Sequence, residues 1–109
     1  MTPDAYRVII IANYERPMIE TFKHKELRMF FEKGDASKIK QSHLKRLRLV
    51  LAKLHTAEKI KDMDLPGSGL HSLKGDKKDF WSISISGNWR LIFRFEKGHA
   101  FDVDYVDYH

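Results

Sequence analysis

Cysteine is absent from the 109 residues, which excludes disulfides and thiolate metal ligands at once. Also missing is any run approaching the roughly 20 apolar residues that a helix needs to cross a bilayer. The nearest candidate, Val8 to Ala12 after Arg7, is followed directly by Asn13, Tyr14, Glu15 and Arg16, and is too short for a signal sequence. No glycine-rich loop sits between a strand and a helix to cradle a phosphate. Lys74-Gly75-Asp76-Lys77-Lys78 reads instead as a basic turn. His24 with Glu26, and His71 with Asp107 and His109, lack the spacing of a metal site. These absences predict a cytoplasmic protein with no membrane association, no metal and no cofactor.

What is present suits one globular domain with a modest core. Hydrophobic residues make up 42% and charged residues 32% of the chain, so it is not a disordered tail. Twenty Lys and Arg against fifteen Asp and Glu give a net charge of +5. That excess favours a polyanionic partner without proving one.

The composition changes at Arg16-Pro17, dividing the chain into a leader, residues 1–17, and a domain, residues 18–109. Pro17 lacks an amide donor and restricts its neighbour, which interrupts any strand across the junction. Two readings of the leader stand side by side: Met18 as the natural start, or an extra strand over Val8 to Ala12. Met18 to Phe22 could form a short strand. Leu27, Phe30 and Phe31 at i, i+3 and i+4, closed by Gly34, predict a short amphipathic helix. A longer one, capped by Ser37 or Ser42, carries Leu44, Leu47, Leu51 and Leu54 on one stripe. A further helical turn over Ala57 to Lys61 would start from a Thr56 cap, before Leu65-Pro66-Gly67-Ser68-Gly69 breaks regular structure.

Three alternating segments follow, Phe80 to Ser86, Trp89 to Phe95 and Ala100 to Tyr105. Trp81, Ile83, Ile85, Trp89, Leu91, Phe93, Phe95, Phe101, Val103 and Tyr105 form the apolar side. Serines, Arg90, Arg94, Asp102 and Asp104 form the polar side. Parity favours three-residue loops, Ser86-Gly87-Asn88 and Lys97-Gly98-His99. These would set Ile85 against Trp89, Ile83 against Leu91, Phe95 against Phe101 and Arg94 against Asp102. The expected fold is α+β, an antiparallel sheet of four to five strands with two to three N-terminal helices on one face.

Cleaving RNA without a metal takes a base for the ribose 2′-OH, cations for the phosphate and an acid for the departing 5′-oxygen. His71, Lys74, Arg90, Asp107, Tyr108 and His109 offer all three in or beside the sheet. Each also has a structural explanation. Arg90 serves equally well in an ion pair, and Asp107-Tyr108-His109 reads alone as a frayed end. His71 and Lys74, three apart, reach one site only if their strand ends near Leu73. Lys45, Arg46, Arg48, Lys77, Lys78 and Arg94 are candidates for contacts with RNA. For the helical ones a solvated face is the commoner explanation.

Several stretches together carry a family resemblance. They are Phe22-Lys23-His24-Lys25, Leu27 with Phe30-Phe31-Glu32 and Gly34, Lys45-Arg46-Leu47, and Met63-Asp64-Leu65-Pro66-Gly67. Further on come Leu70-His71-Ser72-Leu73-Lys74-Gly75-Asp76, Trp81-Ser82, Gly87-Asn88-Trp89-Arg90 and Asp107-Tyr108-His109. From Met18 onward the chain resembles HigB toxins of the RelE/ParE superfamily, the plasmid-maintenance killer proteins. The resemblance implies a microbial RNase-like α+β fold, cleavage of mRNA in the A site of the 30S ribosomal subunit beside rRNA, and neutralisation by a HigA-type helix-turn-helix antitoxin. The family's functional positions carry over as His71, Lys74, Arg90, Asp107, Tyr108 and His109. Arg90 and Lys74 would then hold the phosphate, Asp107 or His109 would act as base, and His71 and Tyr108 would aid protonation or positioning. Residues 1–17 depart from the family pattern. The competing expectations are a ParE-like inhibitor of DNA gyrase that works by contact, and a plain nucleic-acid-binding module.

Overall fold

A computed structural model of the chain describes residues 16–108. The Val8 to Ala12 segment and His109 lie outside the described residues. Among these, the order is β1 (Met18–Ile19), α1 (Lys25–Lys33), α2 (Leu44–Thr56), β2 (His71–Ser72), β3 (Phe80–Ser86), β4 (Trp89–Glu96) and β5 (His99–Asp107), with short 3-10 turns between.

Helix α1 has the expected span and end. His24 caps it, its Nδ1 accepting the Leu27 N–H at 3.0 Å. Gly34 closes it in the left-handed region at φ 73°, its N–H bonding the Phe30 carbonyl at 2.9 Å. Leu27 and Phe30 face the core.

Helix α2 carries the expected stripe, with Leu47, Val50, Leu51 and Leu54 buried. Neither expected serine caps it. Ser42 lies inside a 3-10 turn, Gln41–His43, that leads into the helix. The Ser37 hydroxyl donates instead to Asp35 Oδ1 at 2.7 Å. Thr56 ends the helix rather than starting another, because Ala57 turns extended and the Thr56 hydroxyl donates back to the Ala52 and Lys53 carbonyls. The next turn, Ile60–Met63, is capped by Asp62, whose Oδ2 accepts the Glu58 and Lys59 N–H groups.

The sheet runs β1-β5-β4-β3-β2. β1 is the short strand expected after Pro17, but it pairs parallel to β5, with Met18 opposite His99. The sheet is therefore mixed, not purely antiparallel. A two-residue strand carries no signal of direction, and here direction is set by tertiary docking. The Ile19 N–H also donates to His55 Nδ1 at 3.1 Å, tying this edge to α2.

Two hairpins differ from the parity argument in an instructive way. Both loops are two residues, with Ser86 opposite Trp89 and Glu96 opposite His99. Alternation is restored by bulges, one between Ser84 and Ser86 and one in β5 opposite Phe93. Ile83 faces Leu91 as expected, whereas Phe95 faces Ala100 and Arg94 faces Phe101. Asp102 takes up the second bulge at φ 54°. Its carboxylate still meets Arg94, Nε to Oδ2 at 3.1 Å. Phe101, expected on the apolar side, is turned to the other face.

One core joins α1, α2 and the covered sheet face through Leu27, Leu47, Leu51, Leu54, Met63, Ile83, Leu91, Phe93 and Val103, with Trp81 and Trp89 packed against it. Beneath the far end of β5, His43 and Tyr105 are buried at 3% and 5% exposure and share a hydrogen bond between Nδ1 and the phenol. Burial holds the His43 imidazole below its ordinary pKa and pushes the Tyr105 phenol above its own. Trp89 stacks on Tyr105 with ring centroids 4.6 Å apart.

Candidate active site on the open sheet face

Both helices pack on one side of the sheet, leaving the other side without a helix over it among the described residues. Residues directly opposite across a ladder point to the same face. The register therefore builds rows on the open side. His71, Ser82, Ile92 and Asp104 form one row across β2 to β5. Ser84, Arg90 and Val106 form the next. Beyond them the Tyr108 N–H donates to the Asn88 carbonyl at 2.8 Å, continuing the ladder past Asp107, which faces Trp89.

Tyr108 is thus paired and has a place on the Arg90 side, whereas Asp107, opposite core-side Trp89, is directed to the helix side of the sheet. Tyr108 is half exposed at 50%. Strand spacing of about 4.8 Å and rise of about 3.4 Å per residue put the Arg90 and Tyr108 Cα atoms about 8 Å apart, and those of Arg90 and His71 about 12 Å apart. An extended arginine bridges most of either gap. Arg90 is consequently the centre of the arrangement, with His71 on one flank and the tail on the other.

His71 is exposed, and its Nδ1 lies 3.0 Å from the Gly69 carbonyl. A carbonyl only accepts, so in the neutral ring the proton sits on Nδ1 and the Nε2 lone pair is open. β2 ends at Ser72, and Lys74 follows immediately at the start of the 3-10 turn Gly75–Lys77. The ladder runs one residue further, the Leu73 N–H donating to the Phe80 carbonyl at 2.9 Å, before the turn begins. Lys74 is exposed there.

The wider basic candidates separate into two groups. Lys77, Lys78 and Arg94 border the open face, with Lys77 Nζ 4.6 Å from the centre of the Phe80 ring. Arg94 is engaged by Asp102 at 3.1 Å. Lys45, Arg46 and Arg48 lie on α2, behind the sheet, so an RNA strand on the open face does not reach them. Arg48 stacks over Phe30 at 5.6 Å, and one Arg46 guanidinium nitrogen is buried with no hydrogen-bond partner among the described residues.

Three contributors escaped the sequence reading. Gly69 orients His71 through a backbone carbonyl, which no residue type signals. Asn88 anchors the tail in the same way. Ser82, directly opposite His71, is wholly buried and its hydroxyl has no partner among the described residues. Among the described residues no cluster of three or more His, Asp or Glu side chains is arranged to hold a metal. No described helix is long and apolar enough to cross a membrane.

The family model for HigB-like toxins, RelE-like toxins of the type II toxin-antitoxin system HigB, matches residues 20–109. Endoribonuclease HigB of Proteus vulgaris is 40% identical over 92 residues, which is 84% of this chain and all of that protein. The solution structure of a conserved hypothetical protein from Helicobacter pylori aligns with a TM-score of 0.45 at 19% identity, covering 81% of this chain and 92% of that one.

Proposed function

The chain belongs to the HigB-like family of RelE-like toxins of type II toxin-antitoxin systems, and from that premise we propose that it is an endoribonuclease cutting translated mRNA in the ribosomal A site. A type II system pairs its toxin with an antitoxin, and the partner proposed here is of the HigA helix-turn-helix type. The observation that carries the reading is the gathering of His71, Arg90 and the paired Tyr108 on the sheet face away from the helices.

The chemistry follows from the donors available. His71 Nε2, left bare because Nδ1–H is donated to the Gly69 carbonyl, accepts the proton of a ribose 2′-OH. The 2′-oxygen attacks the adjacent phosphorus as the bond to the 5′-oxygen breaks, leaving a 2′,3′-cyclic phosphate. Arg90, supported by Lys74, holds the phosphate oxygens while negative charge grows on them. A proton from the tail, from Tyr108 or His109, goes to the departing 5′-oxygen. Asp107 positions that tail through its pairing with Trp89. In this reading His71 is the base and the tail the acid, the opposite of the division of labour that the resemblance implies.

Expression of the wild-type chain followed by primer extension on cellular mRNA tests this reading. The expected result is cuts inside translated codons, lost in Arg90→Ala with the fold intact. Growth arrest without cuts, accompanied by gyrase inhibition, would instead establish the contact inhibitor. Persistent cutting by Arg90→Ala would remove that residue from the mechanism.

A further inference from the structure

One row on the open face takes no part in the proposed chemistry. Phe80, Arg94 and Phe101 are direct register partners on β3, β4 and β5. Their side chains therefore stand side by side, next to the row that holds His71. Both phenylalanines are half-buried, leaving ring surface at the protein boundary. The Arg94 guanidinium lies 5.0 Å from the Phe101 ring centre and is held there by Asp102. Lys77 Nζ lies over Phe80.

Phe101 is on this face only because of the bulge at Asp102. The strand alternates inward at Val103 and Tyr105, so an unbulged chain would turn Phe101 into the core. Asp102 achieves the change of face at φ 54°, a conformation that residues with side chains seldom adopt. Bulges beside functional sites commonly re-aim a side chain in this way, and local strain of this kind is a pointer to function.

Aromatic rings and arginine planes on an open sheet are surfaces on which unpaired bases stack, because every base has a π-face. The charge pattern points the same way. Asp102 neutralises Arg94, which suits a stacking plane better than a phosphate clamp, while Lys77 stands ready to meet a backbone phosphate. We propose that Phe80, Arg94 and Phe101 form a base-stacking subsite for single-stranded RNA, seating nucleotides next to the one that is cut. One base lies on the Arg94 plane, whose other side rests on Phe101, and a neighbouring base meets Phe80 as Lys77 moves to its phosphate. This rests on the nuclease reading and adds to it what fixes the cut position along the strand.

The test uses the full chain on ribosomes programmed with an mRNA carrying 5-iodouridine, in turn, at positions flanking the cut. Irradiation should crosslink the mRNA to peptides containing Phe80 or Phe101, identified by mass spectrometry. The double variant Phe80→Ser, Phe101→Ser, verified as folded by circular dichroism, should raise KM on the order of tenfold. Cleaved mRNA with no crosslink to either peptide, or a folded double variant with unchanged KM, overturns the subsite and leaves the nuclease reading standing. Should the variant fail to fold, the wild-type crosslink decides. An mRNA left uncut by the wild-type chain overturns the nuclease reading and the subsite with it.

Discussion

Removing one oxygen, by Tyr105→Phe, should destabilise the protein more than its size suggests. The phenol is bonded to His43 Nδ1 and also accepts a hydrogen bond from the Lys40 backbone. Both Tyr105 and His43 are almost wholly buried, so water does not replace the lost partner. Each polar group stranded in this way costs about 1–3 kcal/mol. Two of them make a loss of roughly 2–6 kcal/mol, which lowers the melting temperature by about 10–30 °C in a domain of this size. His43→Leu strands the phenol instead. If the imidazole–phenol bond is what stabilises this part of the core, the double variant should cost less than the sum of the two singles by more than about 0.5 kcal/mol.

The pH profile supplies a second readout of the same pair. Burial lowers the His43 pKa, with Lys40 adding to the effect, so the folded chain refuses a proton that the unfolded chain accepts near 6.5. More protons on the unfolded state means that stability falls as pH drops through that value and is retained above it. At the alkaline end the sign reverses. Burial raises the Tyr105 phenol, with the charge of Asp107 adding to it, so stability is lost as pH rises past about 10 while the unfolded chain releases its proton. His24, whose ring centroid lies 5.6 Å from that of Tyr105, is the other titratable neighbour. Thermal melts by circular dichroism from pH 5.5 to 7.5 should show a shallower acid slope in His43→Leu. Additive single costs together with an unchanged slope would refute the account.

Deleting Asp107 to His109 should abolish mRNA cutting while lowering the melting temperature by only a few degrees, since Asp107 and Tyr108 lie at the outer end of the ladder. Continued cutting by that truncation would return the tail to a mere frayed end. Lys97→Asn should stabilise the chain by about 0.5–1 kcal/mol, because Lys97 occupies a two-residue turn at φ 49° that asparagine tolerates better. A lower denaturation midpoint for that variant would contradict the turn geometry.

The helices were legible because burial writes a period into them: Leu27 and Phe30 in α1, and Leu47, Leu51 and Leu54 in α2, follow it and are buried. The sheet faces were legible for the same reason, and Arg90 and the two tryptophans lie on the sides that alternation gave them. What escaped were events that break a period without a telltale residue. Asp102 makes its bulge with no glycine to announce it, so Phe101 was assigned inward. The parity argument correctly found a conflict at Ile85 but resolved it by lengthening the loop, where the chain bulges the strand instead. The orientation of His71 comes from the carbonyl of Gly69, and backbone acceptors are common to every residue.

The parallel pairing of Met18 with His99 joins opposite ends of the described chain. The hairpins β3–β4 and β4–β5, in contrast, close through loops of two residues. Closing a long loop carries a larger entropic cost than closing a short one, so long-range pairings form after local ones. β1 is therefore the last strand to join as the protein folds and the first to leave when it opens. Arg90, at the centre of the candidate site, lies on the early-forming hairpins, so the edge at Met18 can detach and reseat while Arg90 keeps its place.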